Sequence, residues 1–192
     1  MTDRADSPLV VKVGGSLYDL PDLGPRLRRW LEGFRDRGVI LVPGGGAFVD
    51  AVRRLDRCHG LGEELSHWLA LEGLRLAAHF LAALLNGAIV IEHLPEAIAG
   101  RAYAVLDPYS FTLGDEGHLG SLPHSWSVTS DSVAARVAIV AGARELILLK
   151  SADHHEGAVW TRAEESGLVD HYFAQAVRGV PQVKVVNFRR WQ

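Results

Sequence analysis

The stretch LVVKVGGS, residues 9–16, decides the fold. Four of its first five residues are apolar, which is typical of a strand that is buried on both faces in a parallel sheet. Lys12 interrupts this run, and a buried ammonium is unfavourable unless an anion compensates its charge. Gly14 and Gly15 then let the backbone approach a ligand closely, and Ser16 can cap a following helix. A buried strand, one lysine and an open glycine turn together predict a cradle for phosphate.

Lysine is rare in this sequence. Of the 20 basic residues, 17 are arginine and only Lys12, Lys150 and Lys184 are lysine. Because arginine supplies the ordinary positive surface, we expect Lys12 to be a lysine for its compact point charge. The alternative is that Lys12 ends its strand and extends its ammonium to solvent.

Length and composition limit the classes of protein to consider. The 192 residues, 48% hydrophobic and 22% charged, predict a single globular domain over residues 1–192. A net charge of −3 argues against binding to nucleic acid or to an anionic membrane. Residues 1–8 lack a signal-peptide core, and the apolar region 65–85 carries charged side chains, so it predicts a soluble helix. The single cysteine, Cys58, is typical of a reducing compartment, and we expect a cytoplasmic protein.

Strand and helix patterns alternate along the chain. Apolar runs predict strands at residues 9–13, 39–42, 88–91, 102–106, 146–149 and 183–186. Apolar residues at helical spacing predict helices at 23–37, 47–57, 63–85, 130–140 and 168–178. Residues 107–124, rich in Gly, Ser and Pro, are predicted to be mostly loop. This alternation predicts an α/β fold, a three-layer α/β/α sandwich with a mainly parallel central sheet.

A second glycine turn follows the second predicted strand. Pro43 is followed by Gly44, Gly45 and Gly46, and then by a helix. The carboxyl ends of parallel strands lie at one edge of a sheet, where helix N-termini present N–H groups. The two glycine turns are therefore expected to form one anion-binding floor. The alternative is that the triple glycine serves only the tight turn from strand to helix.

A third stretch, HSWSVTSDSVAA at residues 124–135, leads into a helix of small residues. Asp131 lies in its first turn, where we expect it to accept hydrogen bonds from Lys12 and to hold that ammonium against a transferring phosphoryl group. The alternative is that Asp131 only stabilises the helix N-terminus. The sequence contains no G-x-x-x-x-G-K-[ST] motif, which excludes a P-loop enzyme.

KVGGS at 12–16, PGGG at 43–46 and TSDSVAA at 129–135, in that order, resemble the amino acid kinase family. The resemblance runs from residue 9 to about residue 149. It implies in-line transfer of a phosphoryl group from Mg-ATP to a small-molecule acceptor. Within the family, residues 65–70 and 124–132 are most similar to the aminomethylfuran-phosphate kinases of methanofuran biosynthesis, which implies a phosphate or carboxylate acceptor.

The resemblance also implies roles for individual residues. Lys12 and Asp131 match the family's catalytic lysine and the aspartate that organises the lysines, and Arg178 falls near the place of a second catalytic lysine. The implied phosphate-binding residues are Gly14, Gly15, Ser16, Gly44, Gly45 and Gly46. The implied acceptor-binding residues are His67, Ser125, Trp126 and Thr129. The implied nucleotide-binding residues are Lys150, Ser151 and Asp153. For His67 and Trp126 the alternative is an ordinary packing role.

The nucleotide half departs from the family pattern. Residues 1–145 are expected to hold the phosphate groups and the acceptor, and residues 146–192 are expected to form a shortened nucleotide part. Three hypotheses follow: a small-molecule kinase, a non-catalytic ligand-binding or regulatory subunit, and a kinase completed by a partner chain. The resemblance makes a homodimer the default expectation. The run DHHE at 153–156 is interpreted as a solvated turn, so no metal site is predicted there.

Overall fold

The computed structural model describes residues 7–94, 103–153 and 160–191, and within these ranges the chain forms six strands and seven α-helices. The strands are β1 (Leu9–Val13), β2 (Val39–Pro43), β3 (Val90–Ile91), β4 (Tyr103–Leu106), β5 (Glu145–Lys150) and β6 (Gln182–Asn187). The helices are α1 (Leu23–Leu31), α2 (Gly46–His59), α3 (Glu63–Leu84), α4 (Pro108–Asp115), α5 (Ser130–Val140), α6 (Trp160–Glu165) and α7 (Phe173–Ala176). Short 3₁₀ turns follow β1, α1 and α7.

The strands form one sheet in the order β3-β4-β2-β1-β5-β6, and each neighbouring pair is parallel. Helices cover both faces of this sheet, so the predicted three-layer α/β/α architecture is confirmed. β1 lies between β2 and β5, near the middle of the sheet. The stretch of residues 9–16 therefore begins with a central strand of the fold.

Alternation along β1 assigns its side chains to two cores. Leu9, Val11 and Val13 pack in the core that contains α1 and the C-terminal half of α3. Val10 packs on the opposite face, in the core that contains α5. Since successive side chains of a strand point to opposite faces, Lys12 shares the α5 face with Val10. The register of β1 thus directs the ammonium of Lys12 toward α5.

The structure corrects two element predictions. Residues 107–124 are loop over only part of their length, because the helix α4, which was not predicted, occupies Pro108–Asp115. Its start is well specified: Asp107 accepts a hydrogen bond from the Tyr109 N–H, and Pro108 occupies the first helical position, where its missing N–H is harmless. The helix predicted at residues 168–178 is also wrong in extent, since only α7 and the 3₁₀ turn Val177–Gly179 are helical there, while α6 was missed.

Some sequence predictions fall on residues outside the described ranges. These are the N-terminal residues 1–6, residue 102 of the predicted fourth strand, and residues 154–156 of the DHHE run. Among the described helices, none is long and apolar enough to cross a membrane.

Candidate active site

A cleft of about 1080 Å³ opens at the carboxyl edge of the sheet. It is lined by both glycine turns, by the N-terminal turn of α5 and by side chains of α2 and α3. One end, which we call the α2–α3 end, contains Asp50, Arg53, His67, Leu71 and Trp126. The opposite end, which we call the β6 end, contains Asp153, residues 166–171 and Arg189.

Lys12, Asp131 and Lys150 form a buried cluster at the centre of this cleft. Lys12 Nζ lies 2.8 Å from Asp131 Oδ1, and Lys150 Nζ lies 2.7 and 2.8 Å from the two carboxylate oxygens. Lys12 is paired in register with Leu148 of β5, and Lys150 follows two residues later on the same face. Both ammonium groups therefore reach the first turn of α5, where Asp131 lies.

The charges in this cluster do not balance. Burial alone would raise the pKa of Asp131, but the nearby charges of Lys12 and Lys150 outweigh it, so the pKa of this carboxyl is lowered. Burial, followed by the charge of Lys12, lowers the pKa of Lys150 to about 8. Two cations therefore share one carboxylate in a buried place, and the surplus positive charge favours an anionic ligand.

The two glycine turns contact each other directly. The Gly44 N–H donates to the Val13 carbonyl at 2.7 Å, and a Cβ at Gly44 would lie 2.3 Å from the backbone nitrogen of Gly15. A Cβ at Gly15 would lie 2.1 Å from the backbone nitrogen of Gly46. The Tyr18 hydroxyl also donates to the Gly44 carbonyl at 2.7 Å. The turns therefore form one continuous floor, and tight packing is part of the reason for their glycines.

The N-termini of α2 and α5 differ in the hydrogen-bond partners of their first backbone N–H groups. α2 begins at Gly46 beside the first glycine turn, and no side-chain cap binds its N-terminal N–H groups. At α5, the carboxylate of Asp170 accepts hydrogen bonds from the Thr129 and Ser132 N–H groups at 2.9 and 3.0 Å. A ligand anion is therefore favoured at the N-terminus of α2.

Asp170 is a residue that the sequence reasoning missed. It is partly buried, and its Oδ atoms also accept hydrogen bonds from the hydroxyls of Thr129 and Ser132. Burial, together with the nearby charge of Asp131, raises the pKa of Asp170. No local motif marks this position, because its partners lie about 40 residues earlier in the chain. Asp170 acts on the site by holding the turn that carries Asp131.

Three of the four predicted acceptor residues line the cleft: His67, Trp126 and Thr129. His67 is buried, and burial, followed by the charge of His124, lowers its pKa to about 4, so its imidazole is neutral near pH 7. Trp126 donates its indole N–H to Asp56 at 2.8 Å. The Ser125 hydroxyl accepts a hydrogen bond from the Ser127 N–H within its own turn, and Ser125 is not a lining residue.

The predicted nucleotide residues separate into two groups. Lys150 belongs to the central cluster, whereas Ser151 and Asp153 line the β6 end. The Ser16 and Ser151 hydroxyls are 2.9 Å apart, and Asp153 accepts a hydrogen bond from the Asn187 amide at 2.9 Å. Ser16 does not cap a helix, because the turn after β1 is a 3₁₀ turn without a side-chain cap.

The structure removes Arg178 from the site. It lies in the exposed 3₁₀ turn that precedes β6, four residues before that strand begins. In a parallel sheet this is the amino edge, opposite the edge where Lys12 and the glycine turns meet. Arg178 does not line the cleft, so the prediction that it supplies a second catalytic charge is wrong. Gly44 is also not a lining residue and is buried beneath Gly15.

Comparisons with known proteins agree with this geometry. The [5-(aminomethyl)furan-3-yl]methyl phosphate kinase of Methanocaldococcus jannaschii is 29% identical over 147 residues, which cover 75% of this chain and 66% of that protein. The UMP kinase of Bacillus anthracis has a similar structure, with a TM-score of 0.63 at 16% identity, covering 96% of this chain and 88% of that chain. The uridylate kinase of Archaeoglobus fulgidus gives a TM-score of 0.58 at 15% identity, covering 89% and 85%.

The family assignment rests on a longer match. The profile of the amino acid kinase family matches residues 7–154, which include both glycine turns and the Lys12–Asp131–Lys150 cluster. The two structural neighbours are too distant in sequence to show more than a shared fold. Fold, site and profile agree, and the chain belongs to the amino acid kinase family.

Proposed function

We propose that this chain is an ATP-dependent kinase that phosphorylates a small molecule which already carries a phosphate group. The observation that carries this proposal is the buried Lys12–Asp131–Lys150 cluster next to the glycine floor. A surplus of positive charge beside the N-terminus of α2, which has no side-chain cap, is suited to a phosphoryl group in transfer. The non-catalytic ligand-binding subunit remains the alternative hypothesis, and it predicts anion binding without turnover.

The chemistry needs charge stabilisation and positioning more than proton transfer. An oxygen of the acceptor phosphate attacks the γ-phosphorus of ATP, the bond from that phosphorus to the β–γ bridging oxygen breaks, and ADP leaves with the electron pair. The attacking oxygen is already anionic, so no general base is required. Lys12 and Lys150 stabilise the charge on the equatorial oxygens, while Asp131 positions both ammonium groups. Lys150 thereby takes the role that the sequence analysis gave to Arg178.

The cleft has room for two substrates. Its volume of about 1080 Å³ slightly exceeds the ~300–1,000 Å³ that one small-molecule site usually occupies. We place the acceptor at the α2–α3 end, with its phosphate at the N-terminus of α2. ATP then lies toward the β6 end, near Ser151 and Asp153.

The family implies Mg²⁺ as the partner of ATP. Within the described residues no group of three or more His, Cys, Asp or Glu side chains is arranged to hold a metal ion. The carboxylate nearest the phosphates, Asp131, is engaged by both lysines. This donor set fits a magnesium ion that is carried by the ATP phosphates, since Mg²⁺ is often bound mainly through substrate phosphates. There it neutralises charge on ATP.

The relative from Methanocaldococcus jannaschii supports a proposal for the acceptor class. That protein is named for [5-(aminomethyl)furan-3-yl]methyl phosphate, and it is 29% identical to this chain over 147 residues. This chain spans 66% of that relative's length. We therefore propose the same phosphate ester, or a close analogue with a small ring, as the acceptor. A homodimer is proposed as the working form, as the family resemblance implies.

The test is phosphorylation of this acceptor by the purified chain. Incubation with Mg-ATP should yield ADP and the diphosphate of the acceptor, which mass spectrometry and ³¹P NMR detect. Lys12→Ala should lower kcat by about 10²-fold or more, because one preorganised charge is lost from the transition state. Lys184→Ala is the matched control, since Lys184 is half exposed on β6 and does not line the cleft.

Two outcomes would contradict the proposal. If the wild-type chain binds the phosphate ester but forms no ADP, alone or with a partner chain, the ligand-binding subunit is the better description. If Lys12→Ala folds normally and turns over at the wild-type rate, the buried cluster does not carry the chemistry.

A further inference from the structure

Asp50 and Arg53 form a loosely held ion pair at the α2–α3 end of the cleft. They lie three residues apart on α2, and Arg53 Nη1 is 3.4 Å from Asp50 Oδ1. The Arg53 side chain is 41% exposed and the Asp50 side chain is 57% exposed. An exposed pair of this kind contributes little to stability. Stability therefore does not explain why both charges line the cleft.

The other described carboxylates that line the cleft have closer partners. Each of these five carboxylates has a hydrogen-bond or ion-pair partner at 3.0 Å or less. The pairs are Asp19 with Arg189, Asp131 with both lysines, Asp153 with Asn187 and Arg190, Glu164 with the Ala174 N–H, and Asp170 with Thr129 and Ser132. Among the residues that the structure describes, Asp50 has only the 3.4 Å contact with Arg53. Among the lining carboxylates, Asp50 therefore has the most capacity left to bind a cation from a ligand.

Trp126 adds an aromatic face to this corner of the cleft. The guanidinium carbon of Arg53 lies 5.1 Å from the centroid of the Trp126 ring. The hydrogen bond from the indole N–H to Asp56, 2.8 Å long, holds the ring in place. A cation over an indole face is attracted by the electron density of the ring. Arg53 thus contacts a carboxylate and an aromatic face, the pair of groups that binds ligand ammonium ions.

We infer that Asp50 and Trp126 bind a primary amine of the acceptor, and that Arg53 occupies the position that this ammonium takes in the complex. The inference rests on the proposed function and makes Asp50 a specificity-determining residue. The spacing of the two groups along α2 agrees with this inference. Asp50 lies four residues beyond Gly46, which is about 6 Å along the helix axis. A small molecule with its phosphate at Gly46 can therefore place an amine at Asp50. The substrate class is a small phosphate ester with an amine on its opposite side.

The test compares two probes that differ only in the amine. One is [5-(aminomethyl)furan-3-yl]methyl phosphate, and the other is (5-methylfuran-3-yl)methyl phosphate. Isothermal calorimetry without ATP measures Kd for each probe, and the ratio of the two values isolates the contribution of the amine. Asp50→Asn should weaken binding of the amine probe by about tenfold relative to the methyl probe, because a charge-assisted contact is lost. Asp36→Asn, an exposed change before β2, should leave the ratio unchanged.

Arg53→Gln gives a prediction of opposite sign. With the internal cation removed, Asp50 and Trp126 are free for the ligand, so the ratio should shift in favour of the amine probe. An unchanged ratio in Asp50→Asn, or a shift toward the methyl probe in Arg53→Gln, would overturn the inference. Because the readout is binding, it is independent of turnover. Phosphorylation of neither probe, together with amine-selective binding, would contradict the kinase function and leave the role of Asp50 intact.

Discussion

At the scale of single residues, the choice between lysine and arginine carries most of the information about function. The three lysines occupy distinct places: Lys12 and Lys150 bind Asp131 in the centre of the cleft, and Lys184 pairs with Glu145 on the surface. A compact ammonium can share one carboxylate with a second ammonium and still point at a phosphate, whereas a planar guanidinium imposes its own fork geometry. Lysine is therefore required at the first two positions for a geometric reason.

The lowered pKa of Lys150 predicts how activity depends on pH. A pKa of about 8, below the ordinary lysine value, means that Lys150 loses its proton as the pH rises through about 8. Since the protonated form stabilises the phosphoryl charge, kcat/KM should fall on the alkaline side, by about tenfold at pH 9. Bound phosphates favour the ammonium, so the fall in kcat should come at higher pH than the fall in kcat/KM.

The control for this prediction is Lys150→Arg. The guanidinium stays charged throughout the range, so the alkaline fall should disappear although the overall rate is lower. Steady-state rates between pH 6.5 and pH 10 would measure both profiles. An identical alkaline fall in Lys150→Arg would assign it to another group.

At the scale of elements, the site depends on contacts between turns that are far apart in sequence. Asp170 holds the N-terminus of α5, and the second glycine turn packs on the first. In each case the backbone of a site segment is held by a partner from another part of the chain. The orientation of Asp131 and of the glycine floor thus depends on packing between elements that are distant in sequence.

Asp170→Ala should destabilise the protein and displace α5. Its removal leaves the N–H groups of Thr129 and Ser132 without their acceptor in a partly buried place, so the free energy of unfolding should fall by about 2–4 kcal/mol. Urea denaturation measures this loss, with Asp36→Asn as the exposed control. Asp170→Asn retains an oxygen acceptor and should recover part of the stability. Equal stability of Asp170→Ala and the wild type would show that Asp170 does not hold α5.

Gly15→Ala should disrupt the glycine floor. Its Cβ would lie 2.1 Å from the backbone nitrogen of Gly46, and only a backbone shift relieves that overlap, so unfolding free energy should fall by about 1–3 kcal/mol or more. Gly33→Ala is the matched control, since nothing lies within 4 Å of its Cβ position. Thermal denaturation compares them. A Gly15→Ala protein as stable and as active as Gly33→Ala would contradict the packing of the two turns.

At the scale of the whole molecule, one face of α3 is buried and the other exposes leucine side chains to solvent. One face packs in the cores and contributes His67 and Leu71 to the cleft. The other exposes Leu65, Leu69 and Leu76, at 50%, 37% and 55% of their surface. Single exposed leucines are ordinary, but three along one helix indicate a surface for association. The homodimer implied by the resemblance stays a prediction, and this face is its natural place.

The predicted homodimer can be tested by changing this face. Leu69→Glu with Leu76→Glu should dissociate it, because charges would be buried in an apolar contact. Light scattering after gel filtration should change from twice 20.9 kDa to 20.9 kDa. Leu113→Glu, at an equally exposed leucine on α4, should leave the mass unchanged. A monomeric wild-type chain would contradict the homodimer itself.

Local sequence determined much of this protein. The apolar runs specify the six parallel strands, the glycines specify two turns that only residues without a Cβ can form, and the pairing of Lys12 with Asp131 follows from residue type and position. These features can be predicted from the sequence because each depends on a few neighbouring residues: the spacing of apolar side chains, the turn preference of glycine, and the need of a buried charge for a partner.

Tertiary structure alone decided the rest. It placed Lys150 beside Lys12, excluded Arg178, and brought Asp170 to the N-terminus of α5. Each of these depends on which edge of the sheet a residue reaches and on which segments pack together. The register of β5 against β1 and the path of the chain from α6 to β6 are set by global packing, which no local pattern encodes.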